Sequence, residues 1–234
     1  MNRIPSAADF NRYRVTNPDS SEVIRQRLYD FALYPAAGTP EINFFSLPIG
    51  QGFATAPGSV AGSPKTESDT NLQSANMLPS GMQFKIETIE VVFQPGSSSA
   101  ANTFVTQQPI FTGVTEGTVE ANTVRDSFMF YNSGLLELNI LQKNYLREPR
   151  LLSFPPKAAA RLDVAVATAT ASADLVAGLY VPEGRPYYVE PEITLKPAEN
   201  FGIKLKWPAA LPMPSTFNGR VGVILDGYMM RAAQ

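Results

Sequence analysis

The side chains that could do chemistry in this chain are carboxylates and hydroxyls, because its 234 residues include no histidine and no cysteine. Histidine is the usual proton shuttle and metal ligand near neutral pH, so its absence excludes Ser-His-Asp and Cys-His nucleophile pairs and ordinary zinc, copper and haem sites. Without cysteine there is no thiolate ligand, disulfide or iron–sulfur cluster. A glycosidase-like pair of acids, or a calcium or magnesium ion held by oxygen atoms, stays open.

The candidate carboxylates are one lone acid in an apolar run and four pairs close in sequence. They are Asp226 in the run VILDGY, and the pairs Glu67 and Asp69, Glu87 and Glu90, Glu116 and Glu120, and Glu190 and Glu192. A buried Asp226 would need a partner, but Asp226-Gly227 is also typical of a β-bulge or turn, the interpretation we favour. For Glu87 and Glu90 we favour a solvent-facing strand edge that suppresses unwanted pairing. We therefore predict no catalytic residue, no metal site and no cofactor.

Aromatic and glycine-rich segments suggest two further sites. Trp207, Tyr187 and Tyr188 could form a platform for a sugar ring, but Trp207 alternates in phase with the apolar residues of FGIKLKW, which favours core packing. Gly50-Gln51-Gly52 lacks the spacing and context of a phosphate-binding loop, so turn chemistry explains it.

The elements that must position these residues are mostly strands. After Pro40, short apolar or alternating runs are separated by Gly, Pro, Asn and Ser, which is typical of an all-β domain with roughly nine or ten strands. In the clearest run, residues 82 to 93, the alternation slips between Thr88 and Ile89, which predicts a β-bulge or a strand that changes sheets. Residues 126 to 131 and 135 to 141 are predicted to form a hairpin around Gly134.

The first 40 residues are predicted to form an N-terminal arm with a helix from about residue 20 to 34. Asp19 and Glu22 resemble a capping box, and Ile24, Leu28 and Phe31 fall on one helical face. This helix would pack on its own domain or on a neighbouring subunit. Residues 41 to 234 then form one β domain, with a long exposed loop from about residue 50 to 80.

Charge is sparse and slightly acidic, with a formal net charge of −2, which argues against a dedicated nucleic-acid binder. Residues 1 to 27 have a small basic excess, and their arginines are the candidate contacts of the arm with phosphates, lipid headgroups or nucleic acid; the alternative is a solvated or subunit-facing arm. These arginines are Arg3, Arg12, Arg14, Arg25 and Arg27. The start has no apolar signal region and no run approaches a membrane span, so we expect no secretion by a signal peptide.

The layout resembles the jelly-roll coat proteins of icosahedral bacteriophages. The resemblance rests on the arginine-bearing arm, on the strands MLPSGMQFKIETIEVVF and PAENFGIKLKWP between long Ser/Thr/Ala/Gly loops, and on the closing strand NGRVGVILDGYMMR. It covers about residues 41 to 231. It implies two antiparallel four-stranded sheets forming a wedge or barrel, and one barrel fits better than two, which would need about sixteen strands.

The resemblance further implies a structural protein of the virion, made in the host cytoplasm and not an enzyme. Such a capsid protein self-assembles into homo-oligomeric capsomers through its loops and arm, with other virion proteins as partners and the genome or an internal membrane as a weak contact of the arm. Two alternatives remain: another phage structural or adhesion protein of the tail, spike or baseplate, and a carbohydrate-binding β-sandwich or carboxylate-dependent glycosidase.

Overall fold

The computed structural model describes residues 21–52, 64–98, 118–155, 162–166, 175–179 and 184–232, which hold ten strands, one α-helix and one 3-10 turn. The strands are β1 (Ser21–Tyr34), β2 (Glu41–Phe44), β3 (Met82–Ser98), β4 (Leu135–Ile140), β5 (Lys143–Pro149), β6 (Leu162–Val166), β7 (Leu175–Leu179), β8 (Tyr187–Leu195), β9 (Phe201–Lys206) and β10 (Asn218–Ala232). Helix α1 is Thr118–Ser133, and the 3-10 turn is Leu151–Ser153. The all-β prediction is confirmed.

Eight strands form two antiparallel four-stranded sheets, with the order β1-β10-β3-β8 in the first and β2-β9-β4-β5 in the second; β6 and β7 pair with each other. The pairing is nested along the chain, because β1 pairs with β10, β2 with β9, β3 with β8 and β4 with β5. Within the described ranges no strand of one sheet pairs with a strand of the other, so the sheets are not closed into the barrel that the sequence allowed.

The core lies between the two sheets and draws on alternate residues of their strands. Val221, Val223 and Leu225 of β10 belong to the same buried cluster as Ile203 and Leu205 of β9. The burial of β9 alternates strictly, as the run FGIKLKW predicted. Because each strand presents every second side chain to one face, the opposite faces of both sheets are left for polar residues and for contacts outside the core.

The helix predicted from about residue 20 to 34 is wrong, because this segment is β1. It pairs with β10 along its whole length, from Ser21 opposite Ala232 to Tyr34 opposite Gly219. Leu28, Ala32 and Tyr34 enter the core with the period of a strand. The described part of the predicted arm therefore belongs to the first sheet, and residues 1–20 lie outside the described chain.

The hairpin predicted around Gly134 is also wrong, because its first strand is the end of helix α1, which leads directly into β4. The buried residues are Asp126, Ser127, Phe130 and Tyr131, whereas Phe128 is exposed. That spacing is the one-sided burial of a helix. A side chain at Gly134 would overlap Leu151 and approach Trp207, so glycine is needed there for close packing.

The β-bulge predicted near Thr88 is confirmed. In the β10–β3 ladder Asp226 pairs with Thr88 and Gly227 pairs with Ile86, so Glu87 is the extra residue of β3. The bulge explains the phase slip in the sequence, since it lets Ile86 and Ile89 both reach the core. The favoured interpretation of Asp226-Gly227 as part of a bulge is also confirmed, because the register of the β10–β3 ladder shifts between these two residues.

Residues 64–72, which we call the edge segment, lie along the outer edge of β1. Asp30 forms an isolated bridge with Thr70, and the Phe31 amide donates to the Asp69 carbonyl at 2.8 Å. The edge segment contains no long strand, which agrees with the loop predicted from about residue 50 to 80. It is not exposed throughout, however, because Lys65 and Leu72 are buried. Covering β1 removes a free strand edge that could otherwise pair with another chain.

Candidate functional site

Charged side chains gather on the face of the first sheet that points away from the core. We call this group the outer-face cluster; it consists of Arg25, Arg27, Lys85, Glu87, Glu192 and Asp226. Its members come from all four strands of the sheet. The strand period puts them on one face, because their neighbours in sequence, such as Leu28, Phe84 and Leu225, enter the core.

Asp226 is the centre of the cluster and is only 3% exposed. Its Oδ2 atom lies 3.3 Å from Nη2 of Arg25 and 3.7 Å from Nε of Arg27. The predicted need of a buried Asp226 for a partner is thus confirmed, and two arginines on the neighbouring strand meet it. The hydrogen bond to Asp226 raises the pKa of Arg25, so the guanidinium is held in its charged form.

Glu87 is the second carboxylate that Arg25 contacts, at 3.8 Å, and the β-bulge brings it there. Burial raises the pKa of Glu87, Arg25 opposes that shift, and the nearby charges of Asp226 and Glu192 add to it. Glu192 in turn forms an ion pair with Lys85. The cluster therefore holds three cations and three carboxylates, and each carboxylate has a cationic partner. The cluster is therefore a balanced network of ion pairs.

The remaining predicted carboxylates are dispersed. Asp69 pairs with Arg220 at 2.8 Å, while Glu67 is exposed beside it in the edge segment. Glu190 is exposed on β8. The interpretation of Glu87 and Glu90 as a solvent-facing strand edge is wrong. Strand β3 lies inside its sheet between β10 and β8, and Glu90 is buried. Glu116 and the side chain of Glu120 lie outside the described chain.

The five arginines predicted as arm contacts are not all placed by the structure. Arg3, Arg12 and Arg14 lie in residues 1–20, outside the described chain. Arg25 and Arg27 lie on β1, with their side chains half-exposed and directed to Asp226. These two arginines are therefore part of the outer-face cluster, and their charge is already matched by carboxylates of the same chain.

The three aromatic residues considered for sugar binding do not form one platform. Trp207 is 5% exposed and packs against Tyr34, with ring centroids 5.1 Å apart, so the predicted core packing is confirmed. Tyr187 is half-buried against Phe154, and its hydroxyl donates to Glu148 at 3.1 Å. Tyr188 is exposed at 61%. Only this last ring is available to a ligand.

Large apolar side chains are exposed at separate places on the surface. The most exposed are Phe128 on α1, Tyr188 on β8, Leu141 at the turn between β4 and β5, and Tyr145 near the start of β5. We call the last two the hairpin tip. Leu141 is 60% and Tyr145 is 52% exposed. Apolar groups at a tip are suited to contacts between subunits, since they lose water when a neighbour covers them.

Three buried carboxylates, Asp30, Asp126 and Glu137, were missed by the sequence reasoning. Asp30 faces the core from β1, and Asp126 faces it from α1. The sequence signal for Asp126 was the helical spacing of Asp126, Phe130 and Tyr131, which the hairpin prediction obscured. No such signal existed for Asp30, because it occupies an alternating position that an apolar residue usually fills.

Replacing Asp126 by asparagine is expected to stabilise the protein at neutral pH by about 1 kcal/mol, because a buried carboxylate with an unsatisfied oxygen is costly. Oδ1 of Asp126 accepts from the Ser215 amide at 3.0 Å, and Oδ2 has no partner among the described residues. Burial raises the pKa of Asp126. Folding therefore favours its protonated form, and wild-type stability falls as the pH rises through the ordinary carboxyl range towards the folded pKa.

Urea unfolding of the wild type and of Asp126→Asn across that pH range measures this effect. The difference between the two proteins should be largest at neutral pH and should shrink as the pH falls, because the wild-type carboxyl then becomes neutral too. A variant that is less stable than the wild type at every pH would contradict this prediction, because it would show that the carboxyl group stabilises the fold whether or not it is charged.

Searches against protein-family models, curated proteins and solved structures find no match for this chain. In the part of the chain that the structure describes, no helix has both the length and the apolar character of a membrane span. In the same part, no three acidic side chains are grouped as a metal ion would require.

Proposed function

We propose that this chain is the structural subunit of a virus shell and that its sandwich is a single jelly roll. The observation that carries the proposal is the nested strand pairing. A ribbon of four antiparallel pairs, β1–β10, β2–β9, β3–β8 and β4–β5, is rolled so that β10 also meets β3 and β9 also meets β4. This nesting supports the proposal of a jelly roll, an eight-stranded double sheet found in viral capsid proteins, lectins and cupins.

Among these uses of the fold, the side chains favour the shell. The chain has no histidine with which to build an imidazole metal site. Trp207, the single tryptophan, is in the core and unavailable for stacking on a sugar. The acids of the outer-face cluster are bound to cations and not paired for catalysis. A shell subunit needs none of these groups, only a stiff body and surfaces that neighbours can cover.

The surfaces support assembly through loops and tips. The edge segment covers the middle of β1 around Asp30, which hinders association by adding a strand to that stretch of the edge. The most exposed apolar side chains of the described residues lie at the hairpin tip, on α1 and on β8. The partners in this proposal are copies of the chain and other virion proteins, its location is the virion of a bacteriophage, and it has no catalytic activity.

The expected result is that the purified chain associates into capsomers or closed shells at high concentration. Light scattering measures the mass, and electron micrographs show whether the particles are symmetric. Leu141→Ser combined with Tyr145→Ser should weaken association about tenfold or more if the hairpin tip is a contact, because two apolar side chains lose their burial. A strictly monomeric wild type at high concentration contradicts the proposal. A monomer that binds glycans would instead favour the carbohydrate-binding alternative.

A further inference from the structure

Lys65 and Asp30 form an ion pair that is almost completely closed to water. Nζ of Lys65 lies 2.5 Å from Oδ1 of Asp30, and the two side chains are 1% and 0% exposed. Asp30 points into the core from β1, between Leu28 and Ala32, and Lys65 enters from the edge segment. Two opposite charges in such a place cost several kcal/mol of desolvation per ion, so the pair sits where a reaction that removes both charges is favoured.

The backbone around this pair is arranged to polarise the carboxyl group. The Phe45 amide donates to Oδ2 of Asp30 at 2.6 Å. Phe45 is fully buried and has a φ of 65°, a conformation that a bulky residue adopts only when its surroundings impose it. An amide donor fixed on a carbonyl oxygen stabilises the negative charge that develops there when a nucleophile attacks the carbon.

The protonation state favours the same chemistry. Burial raises the pKa of Asp30, although Lys65 and the Phe45 amide oppose the shift. A protonated carboxyl is a far better acceptor of a nucleophile than a carboxylate, and the lysine nitrogen beside it is the nucleophile. The contact between Nζ and Oδ1 also holds the amine beside the carboxyl carbon in a dry site, which replaces a bimolecular encounter.

We propose that Lys65 and Asp30 condense after folding into an intramolecular isopeptide bond. Nζ of Lys65 forms a bond to Cγ of Asp30, and the bond between Cγ and Oδ1 breaks. Nζ and the carboxyl group together carry three protons, and the product amide keeps one, so the other two leave with Oδ1 as one molecule of water. The step needs no oxidant, reductant or other reactant. The Phe45 amide donates its hydrogen bond to Oδ2, which becomes the oxygen of the new amide.

The bond would lock the edge segment permanently onto β1. It would join positions 30 and 65 and close a loop of the chain, which restricts the unfolded state as a disulfide does. The linked protein is expected to melt roughly 10 °C above an unlinked variant. This inference stands apart from the proposed shell function, because it concerns the chemistry of one buried pair in a single chain.

The decisive measurement is the mass of the purified, folded, full-length chain under denaturing conditions. The expected mass is one water below that of the unlinked polypeptide, with Lys65→Gln as the reference that cannot condense. Digestion followed by tandem mass spectrometry should give a branched peptide joining the segments that contain Asp30 and Lys65. This measurement is made on the wild type, so it does not depend on whether a variant folds.

The chain contains its own control in Lys206 and Glu137, whose Nζ and Oε2 atoms lie 2.6 Å apart. Lys206 is 35% exposed and Glu137 also contacts Arg147, so water and a second cation reach this pair and it should stay unlinked. Lys206→Gln should therefore still lose one water. Two results overturn the inference: a wild-type mass equal to that of the unlinked polypeptide, or a lost water that maps elsewhere, for example to a succinimide at Asp226-Gly227.

Discussion

Replacing Phe130 by alanine is expected to lower the free energy of unfolding by about 3–5 kcal/mol, a large share of the stability of a typical domain. Phe130 is fully buried on α1 and stacks on Phe93 of β3, with ring centroids 4.2 Å apart and planes 7° from parallel. It also meets Tyr34 edge to face at 5.7 Å and lies 5.4 Å from Trp207. Truncation would leave a cavity bordered by four rigid rings, those three and Tyr131, and rings of that size cannot collapse into it.

The matched control is Phe128→Ala, which removes the same side chain two residues away on the same helix. Phe128 is 69% exposed, so its loss should change the stability by less than about 0.5 kcal/mol. Urea unfolding followed by tryptophan fluorescence measures both variants, because the single tryptophan, Trp207, lies in the same aromatic group. Equal effects at the two positions would contradict the one-sided burial of α1.

The strands that the sequence predicted well are those whose pattern is carried by a single face. In β9 the apolar residues alternate with lysines, and no other period fits them. The bulge of β3 was visible for the same reason, since an extra residue shifts the phase of an otherwise clear alternation. Where one face is buried and the other is polar, local sequence carries enough information to fix the element.

The two elements assigned wrongly are those in which local and long-range preferences compete. In β1 the apolar residues Ile24, Leu28 and Phe31 fit a helical face, but fourteen successive pairings with β10 determine the strand. A sequence window cannot see a partner about 200 positions away. In α1 a predicted strand is in fact a helix. The aromatic residues around Phe130 suggested a strand, and only their packing on β3 from one side shows the helix.

The candidate site shows the same division. That Asp226 needed a partner could be reasoned from its apolar surroundings, but the identity of Arg25 and Arg27 depended on β1 being a strand beside β10. The pair of Asp30 and Lys65 could not be predicted at all. Both residues sit in segments with no periodic signal for a buried charge, and the fold alone brings them together.

Replacing Gly227 by alanine is expected to destabilise the protein by about 3 kcal/mol, because it forces atoms into the backbone of the adjacent strand. A Cβ atom at this position would overlap the carbonyl oxygen of Lys85 and lie 3.0 Å from its carbonyl carbon and 3.2 Å from the amide nitrogen of Glu87. These are backbone atoms of the β-bulge, so no side-chain rotation relieves the clash. Relief requires β10 and β3 to separate locally, which breaks their hydrogen bonds and moves Glu87 away from Arg25.

The suitable comparison is Gly202→Ala in β9, another glycine within a strand. Its added Cβ atom would lie 3.5 Å from the nearest atom, the carbonyl oxygen of Phe44, which is an ordinary contact distance. Both substitutions restrict the unfolded chain equally, so the difference between their urea midpoints isolates the clash at the bulge. Because alanine usually suits a strand interior better than glycine, Gly202→Ala should be neutral or slightly stabilising. If Gly227→Ala were tolerated as well, β10 would have to run farther from Lys85, and the bulge that positions the outer-face cluster would not exist in this form.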